Sequence, residues 1–165
     1  MLLALAAGCR DACPPIVVDS AGVTPSVDYR PLAKVLAACV RPDGLADREA
    51  LQRSAETLDR QLAVLAVTGP TATPKLLPDR QDVLAYWYNA HAAWSMKLLI
   101  ARGCPRRIQA ADMLDRPFPL DGRTMTLRRI EQILAGEEDF RIAAAVPGAT
   151  TCFARLPDQP ISPED

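Results

Sequence analysis

Histidine occurs once in this chain of 165 residues, so any chemistry that needs an imidazole falls on His91. Strong charge of either sign is also missing. Nineteen Lys and Arg stand against 20 Asp and Glu, for a formal net charge of −1 and a pI near 5.9. That balance gives no electrostatic argument for nucleic acid. No Cys-x-x-Cys pair or Cys/His spacing supports zinc, and nothing in the pattern implies a cofactor. There is no internal repeat and no heptad run. Glycine is scarce, eight against fifteen prolines, and the prolines gather near the ends and between helical stretches, as stiff linkers do. A clean apolar run of membrane length is absent too. The best one, residues 82–102, is interrupted by Asn89, His91, Ser95 and Lys97.

What is present is enough apolar material for one core: 49% of the residues are hydrophobic, in a length that suits a single domain. The chain is organised around residues 82–102, which hold both tryptophans, two of the three tyrosines and His91. Good helix formers fill the stretch without Gly or Pro, so it predicts a helix over about 80–102. Asp79 is placed as the N-cap, Arg102 falls in the last turn, and Gly103 follows as the residue after the cap. At about 100° per residue, Leu84, Trp87, His91, Trp94 and Leu98 share one face, while Asn89, Met96 and Ile100 lie nearly opposite. Apolar residues on both faces predict a helix buried on most sides. His91 and Asn89 stand about 160° apart, so they cannot easily serve one pocket from this helix alone.

The N-terminal run MLLALAAGC resembles a bacterial lipobox, in which the cysteine, here Cys9, is lipidated. That resemblance implies export, anchoring to a membrane through Cys9, and a body in the bacterial cell envelope facing the periplasm or the exterior. A signal segment opens with positive charge and a longer apolar stretch, so this reading puts the true start upstream of Met1. A plain apolar terminus is the alternative. With Cys9 lipidated, Cys13, Cys39, Cys104 and Cys152 remain, and three disulfide pairings are open. Cys39 also suits a buried small hydrophobe.

Residues 10–27 read as a tether after a residual signal segment at 1–9. Pro31 sits in the first turn of a helix whose stripe is Leu32, Val35, Leu36, Cys39 and Val40. Asp47 caps a second helix with the stripe Leu51, Leu58, Leu62 and Leu65, up to Gly69-Pro70, and Arg48, Glu49, Arg53, Glu56 and Arg60 form its solvated face. Residues 117–126 predict a hairpin around Asp121-Gly122. Thr126 caps a helix to about Ala135, and residues 140–146 form a short strand or buried turn of helix. The last residues, 157–165, read as a disordered tail. The expected class is α+β: a mainly α-helical single domain around one buried helix with a small β-hairpin.

Four blocks are similar to those of the domain of unknown function 547 (DUF547) family of bacteria and plants. They are residues 29–51; Leu84-Ala-Tyr-Trp-Tyr-Asn-Ala-His; Gly122-Arg-Thr-Met-Thr-Leu-Arg-Arg-Ile-Glu-Gln-Ile-Leu; and Arg141-Ile-Ala-Ala-Ala-Val through Cys152. The resemblance spans about 28–156. The chain departs from the family pattern at Ala92, Gln132, Ala143 and Phe153, where the family has Asn, His, His and Pro. No activity is firmly assigned to the family, so the resemblance implies a fold and a locale more than a reaction.

For chemistry, the sharpest candidate is a thiol nucleophile, Cys152, with His91 as its base. A lone histidine on an apolar helix face is, more plainly, a hydrogen-bonded core residue. Asn89 and Glu131 match family positions, and of two readings the functional one has them lining a ligand pocket near the hairpin, where Arg123 and Arg141 meet an anionic group, while the structural one is preferred. The structural alternative has Asn89 bonding backbone in a neighbouring loop and Glu131 paired with Arg141 or Arg123. Three functions follow. The leading one is a non-catalytic, membrane-tethered envelope domain that binds a peptide, a small ligand or a partner protein. The second is a hydrolase or transferase using Cys152. The third is a shortened, decaying copy.

Overall fold

The structure is a computed structural model that describes residues 15–104, 113–136 and 156–164. The predicted α+β class holds: the described residues are mainly helical, with one two-stranded antiparallel sheet. In chain order the elements are α1 (Arg30–Cys39), α2 (Arg48–Arg53), α3 (Ala55–Val67), a 3-10 turn (Pro74–Leu76), α4 (Arg80–Ala101), β1 (Phe118–Leu120), β2 (Arg123–Met125) and α5 (Leu127–Ala135).

Helix α4 is the axis. Every residue from 85 to 96 is buried, and α2, α3 and α5 all pack on it. Ala85, Ala90, Ala92 and Ala93 within that run let neighbouring elements approach closely, while Tyr86, Trp87 and Trp94 fill the space between them. Trp94 stacks on Phe118 of β1 with centroids 4.1 Å apart and planes at 12°, which fixes the hairpin against the helix. The helix begins where the backbone N–H of Asp79 donates to the Asp82 carboxylate at 3.1 Å. It ends in a Schellman pattern: Gly103, at φ 70°, donates to the Ile100 carbonyl at 2.8 Å, and Cys104 donates to Leu99 at 2.9 Å. A half-buried ion pair, Lys97 Nζ to Asp59 Oδ1 at 2.5 Å, ties α4 to α3.

The second expected helix is bent into two. Ser54, at φ −90° and ψ 1°, separates α2 from α3. Its hydroxyl accepts from the Cys39 thiol of α1 at 3.4 Å. The five charged residues expected to face solvent on this pair are exposed.

The hairpin pairs Phe118 with Met125, Pro119 with Thr124 and Leu120 with Arg123. Its two-residue turn has φ 56° at Asp121 and 70° at Gly122, the primed geometry that the Asp-Gly pair suits. The tip docks on the end of α3: Asp121 N–H donates to the Leu65 carbonyl at 3.1 Å and Gly122 N–H to Ala66 at 2.8 Å.

Described parts of both chain ends make contacts with the rest of the molecule. In the stretch read as a tether, Ile16 is buried and its N–H donates to Pro117 at 3.2 Å, and Ser26 N–H donates to the Thr68 hydroxyl at 3.0 Å. In the stretch read as a disordered tail, residues 157–164 follow Leu156, which is buried and donates to the Gly44 carbonyl at 3.1 Å, and Ile161 packs on the core. Each stretch finds its backbone partners on a distant part of the chain, which composition does not report. The segment expected at 140–146 lies outside the described residues.

Candidate functional site

Three of the expected site residues, Asn89, His91 and Glu131, separate into two places on opposite sides of α4, as the helical angle between Asn89 and His91 requires. On one side His91, fully buried, meets α5. Its Nε2 is 3.2 Å from Glu131 Oε1, and its Nδ1 is 3.4 Å from the Ser95 hydroxyl one turn along α4. A carboxylate at Nε2 calls for the ring proton there, which leaves Nδ1 to accept from Ser95. Glu131 is positioned because α5 starts at the Thr126 cap, whose side chain accepts from Arg129 N–H at 3.1 Å, and buries Leu127, Ile130 and Leu134.

On the other side Asn89, 1% exposed, holds the backbone of Ile161 at both ends of its amide. Nδ2 donates to the Ile161 carbonyl at 2.9 Å, and Oδ1 accepts the Ile161 N–H at 2.9 Å. The Tyr29 phenol lies close enough to the Asn89 side chain to feel it. Burial pushes the Tyr29 phenol well above its ordinary pKa; the Asn89 side chain only partly opposes this, and the nearby Asp82 charge adds to it.

Alongside this contact runs an open groove of about 390 Å³. Its walls are the start of α1, the 3-10 turn, the first turns of α4 and residues 160–163. Tyr29, Ala33, Leu76, Leu77, Ala85 and Ile161 supply most of its apolar lining, and Asp28, Arg30 and Asp82 its charge. Asp28 is held down at about 2 by its hydrogen bonds to Arg30, so the carboxylate stays ionised at the groove rim. A volume of this size is within the range of small-ligand sites.

Of the residues named for an anionic-group pocket near the hairpin, Asn89, Arg123 and Glu131 lie among the described residues. Arg123 Nη2 sits 3.2 Å from Asp121 Oδ2, and Glu131 is the partner of His91. Asn89 faces the Ile161 segment. Arg141, Cys152 and Cys9 lie outside the described residues. The buried Asp121 carboxylate braces the loop after α3, where its Oδ1 accepts the N–H groups of Thr71 and Ala72, each at 2.8 Å.

Sequence reading missed Tyr29, Ser95 and Ile161. Ser95 was reachable, since it lies four residues from His91 and therefore on the same helical face. Tyr29 and Ile161 carry no local signal, because their partner is distant in the chain. Among the described residues, no group of three or more His, Cys, Asp or Glu side chains is placed to hold a metal ion, and no helix is long and apolar enough to cross a membrane. No family model, no curated protein and no solved structure matches the chain.

Proposed function

We propose that this is a non-catalytic binding domain of the bacterial cell envelope, similar to the DUF547 family and held at a membrane by lipid on Cys9. The observation that carries the binding role is the groove beside Asn89, open to solvent and lined by apolar side chains with charge at its rim. A few polar groups converging on an apolar cleft are what a ligand site requires. The histidine, by contrast, is fully buried with a partner at each ring nitrogen, an arrangement suited to tying α4 to α5. Backbone amide NMR with a fragment library tests the role: shifts should cluster at Tyr29, Leu77 and Ala85. A screen in which no fragment perturbs these three removes the reading.

One contact favours a second reading, a thiol hydrolase or transferase. A carboxylate that holds one nitrogen of an imidazole orients the ring as a base, and Glu131 does this to His91. Cys152 would be the nucleophile. Mass-spectrometric thiol accounting on protein from its native membrane separates the two. A diacylglyceryl group on Cys9 with Cys152 in a disulfide favours the tethered binding domain. A free Cys152 alkylated unusually fast at neutral pH favours the enzyme.

A further inference from the structure

Asn89 directs both ends of its side-chain amide at a single residue 72 positions away. One donor and one acceptor, each at 2.9 Å, match the N–H and C=O of Ile161. This is the exchange a residue of one strand makes with its partner in an antiparallel pair, here supplied by a side chain. Such a contact reads peptide backbone and is indifferent to the side chain attached to it.

The segment it grips is suited to being read this way. Pro160 and Pro163 bracket Ile161 and Ser162. Each proline fixes its own φ and pushes the residue before it toward an extended conformation, so the segment loses little freedom on docking. Ile161 packs on the core cluster while Gln159 and Ser162 are exposed. The groove stays open along the segment's flank, between it and Tyr29, Leu77 and Ala85. A second extended chain therefore has a place to enter before the first one leaves.

We propose that this cleft is a peptide-binding site, that residues 159–163 are its internal occupant, and that its external ligand is an extended segment of another polypeptide carrying an aliphatic residue between prolines. The inference rests on the binding-domain reading and names its ligand class. Because Leu156 stays anchored at Gly44, a released segment remains close and re-docks, so it lowers the apparent affinity for any outside peptide by the fraction of time the site is closed.

The test uses the full chain and a fluorescein-labelled synthetic peptide spanning residues 156–164, read by fluorescence anisotropy. Ile161→Pro removes the N–H that Asn89 accepts and keeps the segment extended, so it should open the site. The peptide is expected to bind this variant at least tenfold more tightly than the wild type, and Asn89→Leu in the same background should weaken that binding at least tenfold. A folded Ile161→Pro protein that binds no peptide overturns the proposal. Hydrogen exchange on the unaltered protein gives an independent reading. The Ile161 amide should exchange at least a hundredfold faster than that of Trp94, whereas equal protection means a permanently fixed segment and overturns it as well. If peptide fails while fragments still shift Tyr29, Leu77 and Ala85, only the peptide assignment falls; if both fail, the binding-domain reading falls with it.

Discussion

Gly69 is the residue whose replacement the structure forbids most plainly. A Cβ placed there would lie 2.3 Å from Asp121 Oδ1 and 2.6 Å from its Cβ. The carboxylate cannot step aside, because Thr71 and Ala72 both donate to it. Gly69→Ala should therefore cost roughly 1–3 kcal/mol in urea unfolding, the range for overpacking a closed site. Removing the obstacle supplies the control. In an Asp121→Gly background, which removes the carboxylate and its Cβ together, the same substitution should cost much less, and an undiminished cost there would show that the clash is not the cause. Chemistry is harder to read at this scale. His91 could be named as the sole imidazole, and Asn89 as a buried polar residue in need of partners, from the sequence alone. Their actual partners, Glu131 and Ile161, are 40 and 72 residues away. Periodicity reports which face a residue occupies and is silent on what lies opposite.

The elements were legible where local chemistry and tertiary demand agree. Helix α4 has uninterrupted helix formers, an acidic start and a glycine after its end, and the hairpin has the dipeptide its turn angles require. The bend at Ser54 was not legible. The leucines at 51, 58, 62 and 65 continue one stripe across it, and the contact that marks it comes from Cys39 on another helix. Hairpin geometry also yields a prediction. Gly122 sits at φ 70° with Ala72 Cβ 3.3 Å from where its own Cβ would be. Gly122→Ala should lower stability by about 1–2 kcal/mol, the penalty for a left-handed alanine. Gly122→Asn should lower it less, since asparagine tolerates that region. Equal thermal midpoints for the two variants would argue against backbone strain as the source.

For the whole molecule, the titrating groups inside the core set an alkaline limit. Burial raises the thiols of Cys39 and Cys104 above their ordinary 9.0 and the phenols of Tyr29 and Tyr86 above their ordinary 10.0. Unfolding frees these groups to lose protons at their ordinary values. Their contribution is therefore complete below pH 9 and declines as pH rises through the folded-state values. The urea midpoint should hold between about pH 7 and 9 and fall steadily above it; a midpoint unchanged at about pH 11 would contradict the assignment. The acid side has no comparable limit from Asp28 and Asp115, whose depressed values come from arginines at exposed sites, where such pairs contribute little.

The docking of the hairpin tip on α3 has a kinetic consequence. Asp121 meets Thr71 and Ala72 across 50 and 49 residues of chain, whereas α1, α2 and α3 follow one another closely and pack together. Closing the longer loop carries an entropy cost that the local helical contacts do not. The hairpin should reach its seat after the rate-limiting barrier, so weakening that seat would shorten the lifetime of the folded protein while leaving its speed of folding nearly unchanged.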